Sequence, residues 1–324
     1  MKAMPFNDFY INCYLNNLVS ILISLDVSYK SFAFENNYYY YLTDEKSITM
    51  QAFSKSFPYI MLEFLIEPYI EAYNLLFHKK IKPVQGMDFP PLGTEEGEFN
   101  GTEDFFLQAA SLLNTEHIIF VPVNLFYYIP KSIFYKKIHR THYSMLTSYN
   151  KSDFLVFDEG PLGYGDYIVG KEEMKIAMEQ SGKDDRFFTF KMEAQIPEYK
   201  PDMERVLHNA YRICNNIENV DSYLPAYKEA NGYAEGLNKI INRQKANALL
   251  FGDLSKKGMI NASYADKLSR EVSDLQQQWT IARNKAIKET VTGTQPRAHF
   301  IDSVRQLLEK ELVIWRNFIR EIGG

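Results

Sequence analysis

Leu15, Leu18, Val19, Leu22 and Leu25 recur at helical spacing, which puts them on one face. They predict a helix that begins near Asn12 or Cys13 and runs to Leu25. Thr102, followed by acidic Glu103 and Asp104, predicts a second helix from a threonine N-cap through Leu113. His117–Tyr128, HIIFVPVNLFYY, is so rich in β-branched and aromatic residues that it reads as a buried strand. HYSMLTSYNKSDFLVFDEG, His142–Gly160, sets two short apolar runs around the polar SYNKSD and predicts a β-hairpin. Lys171–Ser181 reads as a helix and Arg186–Ala194 as a closing strand.

Beyond these the pattern turns almost wholly helical. One helix carries Tyr264, Leu268, Val272, Leu275, Trp279, Ala282 and Ala286, and the last carries Ile301, Val304, Leu308, Leu312, Trp315, Ile319 and Ile322. Both follow alternating steps of three and four. They should pack as an antiparallel bundle, with Glu289–Gln295 as the turn between them. The change of character falls at QIPEYKPD, Gln195–Asp202, where Pro201 suits the first turn of a helix. The expected organisation is a mixed α+β domain over 1–197, with an antiparallel sheet, and an all-α bundle over 198–324.

Composition excludes more than it selects. The 324 residues are 46% apolar and 24% charged, and 36 basic side chains against 41 acidic ones leave a net charge of −5. Such a chain buries a core and gives no electrostatic reason to expect nucleic acid or an anionic membrane as partner. The apolar stretch from Tyr14 to Val27 is broken by Asn16, Asn17 and Asp26 and lacks the flanks of a signal peptide. No run reaches the ~18 residues of a membrane span. The two cysteines, Cys13 and Cys214, lie far apart and fit a reducing, cytoplasmic setting.

Cys13 is the candidate nucleophile. A helix N-terminus stabilises a thiolate through its oriented N–H groups and dipole, whereas Cys214, inside YRICNN, reads as a buried structural residue. A lone cysteine on a helix is more often a small buried hydrophobe, so the catalytic reading needs a base as well. His78, His117, His139, His208 and His299 lie in basic, strand-opening, loop or helical settings. His142 opens one hairpin strand and Asp158 closes the other, which places imidazole and carboxylate at the open ends, opposite each other. A carboxylate on one ring nitrogen orients the imidazole and leaves the other nitrogen to take the thiol proton. The Asn7 amide could join the Cys13 backbone N–H in an oxyanion hole, with Asn12 as the alternative. No zinc, P-loop or dinucleotide motif is present. GPLGYG, Gly160–Gly165, reads as a loop, and KKIHR, Lys136–Arg140, as a solvated loop able to meet a phosphate or an acidic protein surface.

A cysteine at the start of an N-terminal helix, the strand IIFVPVNLFYYIP and the segment HYSMLTSYNKSDFLVFDEG resemble the papain-like cysteine fold as found in C39-type peptidases. With the YYIP segment, the loop before the histidine and an appended helical domain, the chain looks more like the butirosin biosynthesis protein H family, over roughly Asn7 to Ala194. The resemblance implies a cysteine acyltransferase of natural-product biosynthesis that moves an acyl group from a carrier-protein thioester to the amine of a small acceptor. It further implies Cys13 as nucleophile, His142 as base and Asp158 as orienting acid. Asn7 would stand where the wider papain-like pattern commonly has glutamine. No cofactor is expected on this chain, because the phosphopantetheine belongs to the carrier. The same site could instead serve a cysteine peptidase or thioesterase, and the fold could also persist as a non-catalytic scaffold.

Overall fold

The computed structural model describes residues 4–10, 13–35, 38–43, 59–64, 95–98, 100–115, 117–132, 134–160, 163–182, 186–191, 198–223, 234–292 and 299–323. In chain order the elements are α1 (Cys13–Leu25), α2 (Tyr29–Glu35), β1 (Tyr38–Thr43), β2 (Tyr59–Phe64), β3 (Glu95–Glu98), α3 (Thr102–Leu113), β4 (His117–Asn124) and a 3₁₀ turn (Leu125–Tyr127). They continue with β5 (Thr141–Tyr149), β6 (Asp153–Gly160), β7 (Gly163–Gly170), α4 (Lys171–Glu179), β8 (Arg186–Lys191) and the long helices α5 (Met203–Tyr223), α6 (Ala234–Lys256), α7 (Ala262–Thr292) and α8 (His299–Ile322). The fold is α+β. Among the described residues no helix is long and apolar enough to cross a membrane.

Two compact units divide the chain: residues 1–30 with 66–198, and residues 31–65 with 199–324. The first is built on an antiparallel sheet of order β3-β8-β4-β5-β6-β7. One sheet face offers Ile119, Val121, Val123, Leu146, Phe154, Val156 and Phe187 to Phe105, Phe106 and Ala109 of α3 and to Met174, Ala177 and Met178 of α4. Ile118, Phe120, Met145 and Phe157, on alternate positions, are buried too, so the centre of the sheet is covered on both faces. Among the described residues, pairing of β4 with β8 stops at Phe120, before Pro122, which has no N–H to give to a ladder.

Several local expectations are corrected by side chains that compete with regular structure. Asn124 accepts the Phe126 N–H at 3.1 Å and Leu125 N–H donates to Arg140 O at 2.8 Å, so the strand expected to reach Tyr128 turns after Asn124. Thr102 is the first helical residue of α3 and no cap; Gly101 precedes it at φ 82°, and the Thr102 hydroxyl donates instead to Glu179. GPLGYG is not a loop throughout, because Gly160 pairs with Gly163 and closes a β6–β7 hairpin. A side chain at Gly160 would collide with the Tyr167 ring. α7 continues to Thr292 through most of the expected turn, whose remainder lies outside the described residues, as does the end of the expected strand after Lys191.

The described elements beyond residue 198 are all helices, but the second unit is larger than the bundle expected over 198–324. It takes in β1 and β2, which pair with each other from Tyr38↔Phe64 to Thr43↔Tyr59. Tyr38 and Tyr40 are drawn in among the helices, where both hydroxyls donate to the Glu311 carboxylate. Gln244 adds a third donor at 2.7 Å, and Asn247 and Trp315 donate to the Tyr38 oxygen. A buried carboxylate is tolerated only where donors replace its water, and three do so here.

Candidate functional site

α1 carries a polar stripe beneath its apolar one. Asn16, Ser20 and Ser24 lie four residues apart, all buried, and hold the preceding chain along the helix. The Met4 and Phe6 N–H groups donate to Ser24 and Ser20 at 2.7 and 3.1 Å, and the Asn16 amide donates to Phe9 O at 3.2 Å and Phe6 O at 3.4 Å. Residues 6–9 therefore run beside the first turn of α1, the turn that Cys13 opens. Asn7, between two buried phenylalanines, is exposed and makes no side-chain hydrogen bond among the described residues. Cys13 is the first helical residue; its side chain, and all of Asn12, lie outside the described residues.

His142 and Asp158 do meet. Nε2 of the imidazole stands 3.0 Å from Oδ2 of the carboxylate, with the two side chains 13% and 2% accessible. Their relation corrects the expectation of a directly opposed pair. The β5–β6 ladder pairs Met145 with Phe157, which sets Asp158 opposite Ser144, so the contact with His142 is diagonal, within reach of long side chains on one face. The turn is held by Asn150, whose side chain accepts from the Ser152 and Asp153 N–H groups, and a β-bulge between Leu146 and Ser148 shifts the register by one residue between the turn and the site. A carboxylate only accepts, so the contact is satisfied by a ring that carries a proton on Nε2. α1 packs against β6, the strand of Asp158.

Two further residues complete the pair, and sequence reasoning missed both. Ser144, two positions after His142 on the same strand face, contacts the Tyr128 hydroxyl. Tyr128, fully buried, in turn hydrogen-bonds to Asp158. Burial, with the Asp158 charge beside it, pushes the Tyr128 phenol well above its usual range, so it stays a donor. Period-two alternation from His142 could have found Ser144. Tyr128 had no comparable signal, because a turn of the chain after Asn124 delivers it. Set against models of known protein families, the chain matches none, and no curated protein matches it. The geometry itself offers a buried acid, an imidazole oriented by it and a helix start in the same unit.

Proposed function

We propose that this chain is a cysteine acyltransferase with a papain-like arrangement, Cys13 acting as nucleophile, His142 as base and Asp158 as the acid that orients it, in keeping with the resemblance to the butirosin biosynthesis protein H family. The observation that carries the reading is the His142–Asp158 contact, made through Nε2 at 3.0 Å by a nearly inaccessible carboxylate. Nδ1 then takes the Cys13 proton, and the thiolate attacks the carbonyl of a carrier-bound thioester. The oxyanion is met by the Cys13 N–H and an amide from Asn7 or Asn12. Collapse expels the phosphopantetheine sulfur, which takes the proton back from the imidazolium. An amine attacks the resulting acyl-enzyme, His142 accepts its proton, and the Cys13 sulfur leaves to regenerate the thiolate–imidazolium pair.

Incubation with an acylated carrier protein tests this directly. The enzyme should gain the acyl mass, and Cys13→Ala should abolish the gain. His142→Ala should slow it by about 10²- to 10⁴-fold, the usual worth of a positioned base. Asp158→Asn should fall between, because an amide still touches the ring but removes the charge that favours the imidazolium. Added amine should discharge the adduct to an amide faster than water does. Faster discharge by water at saturating amine would make the chain a hydrolase, and an undiminished adduct in Cys13→Ala would remove Cys13 from the chemistry.

A further inference from the structure

The chain carries net negative charge, yet no Asp or Glu occurs between Glu116 and Asp153, while Lys131, Lys136, Lys137 and Arg140 crowd into the connection from β4 to β5. All four are exposed, and among the described residues none forms an ion pair. A solvated loop would leave its cations mobile. Here two of them are mounted: Lys136 Nζ lies 5.5, 5.1 and 5.3 Å from the ring centres of Phe126, Tyr127 and Tyr135, and the Arg140 guanidinium sits 5.8 Å over Phe134. Phe126 also stacks on His139 at 4.1 Å. The strap is closed by Leu125 N–H to Arg140 O at 2.8 Å and Lys136 N–H to Phe126 O at 2.9 Å. Ile129, Lys131 and Lys136 stand at φ 50°, 69° and 56°, a region that non-glycine residues occupy only when their surroundings impose it.

We propose that this strap is the docking surface for the acidic face of the carrier protein, an inference that rests on the acyl-transfer reading above. Arg140 precedes His142 by two residues, about 7 Å along an extended chain. Tyr128, within the strap, is the same residue that hydrogen-bonds Asp158, so strap and candidate site share a residue. Preorganised, unneutralised cations steer an acidic partner at little ordering cost, and Ile138, 39% accessible among them, offers an apolar contact. A long polyanion is the poorer fit. It would extend past this one strap onto a chain whose net charge is −5.

Binding is measured by fluorescence anisotropy with a labelled acyl carrier protein whose phosphopantetheine bears an unreactive amide in place of the thioester, at about 0.05 M and about 0.5 M salt. Full-length K136E/K137E/R140E should bind about tenfold more weakly or worse at low salt and lose most of the salt dependence. Lys137→Glu alone, whose ammonium lies over no ring among the described residues, should show a smaller loss in the same direction and serves if the triple variant fails to fold. Unchanged binding in Lys137→Glu and the triple variant overturns the proposal, as does tighter binding of an RNA duplex that the same variants abolish. Acyl transfer from the carrier and from a short pantetheine thioester separates docking from chemistry. A wild-type chain that takes acyl from neither donor while the strap still binds the carrier would sink the acyl-transfer reading alone. A variant that keeps the wild-type ratio of the two rates would sink docking alone.

Discussion

Two thiols in one chain provide an internal control for the candidate nucleophile. Cys214 lies inside α5 at 5% accessibility, and burial pushes its thiol up to about 11, so only about one molecule in ten thousand is thiolate at neutral pH. Iodoacetamide followed by peptide mapping should therefore label Cys13 and spare Cys214 until the protein is denatured. Preferential labelling of Cys214 in the folded chain would count against the site. At this scale sequence reading put both chemical groups in one hairpin, sixteen residues apart, but not the β-bulge between Leu146 and Ser148 that shifts Asp158 from opposite Met145 to opposite Ser144 and so onto the face of His142. It did not reach Tyr128, whose path to Asp158 depends on a side chain, Asn124, turning the strand aside.

At the scale of elements, polar residues inside apolar faces decide the packing. The α8 stripe read from sequence included Leu312, but its neighbour Glu311 is the more deeply buried, 1% accessible, gripped by the β1 tyrosines and Gln244. Burial outweighs those hydrogen bonds and raises the Glu311 carboxyl above its ordinary 4.5. A carboxyl raised in the folded state contributes stability that is full below its unfolded value and is lost as pH rises through the folded one. Thermal melts should thus show the wild type losing more stability as pH rises above about 4.5 than Glu311→Gln, which cannot ionise. Equal pH slopes would show that Glu311 does not carry this dependence. The α1 helix follows the same logic: its apolar positions were legible in sequence, but the Asn16, Ser20 and Ser24 stripe that holds residues 4–9 became meaningful only once those N–H and C=O groups were seen to need partners.

At the scale of the whole molecule, the second unit is discontinuous in sequence. β1 and β2 come from residues 31–65, and without them Glu311 would lose two donors while the places of Tyr38 and Tyr40 stood empty. Each unmet buried partner costs about 1–3 kcal/mol, and removal of a large core side chain costs about 3–5 kcal/mol more, against a total stability of only about 5–15 kcal/mol. Residues 199–324 expressed alone should therefore fail to melt cooperatively. Cleavage of the intact chain near Gln195–Asp202 should leave two pieces that co-elute under native conditions and part only in denaturant. Independent folding of 199–324 would show that the β1–β2 hairpin is dispensable.

What the sequence determined by itself was the local grammar: an α+β segment followed by long helices, a helix beginning at Cys13, and a hairpin that carries His142 and Asp158 to one end. Periodicity, hairpin arithmetic and the paucity of cysteine are local properties, and a chain displays them before it folds. Tertiary structure alone decided that Tyr128 and Ser144 back the acid, that Glu311 rather than an apolar neighbour sits at the heart of the helices, and that residues 31–65 join the second unit. Each of these turns on a buried polar group finding a partner at long range. Such a pairing leaves no periodic trace, because the free energy that enforces it appears only when water is removed.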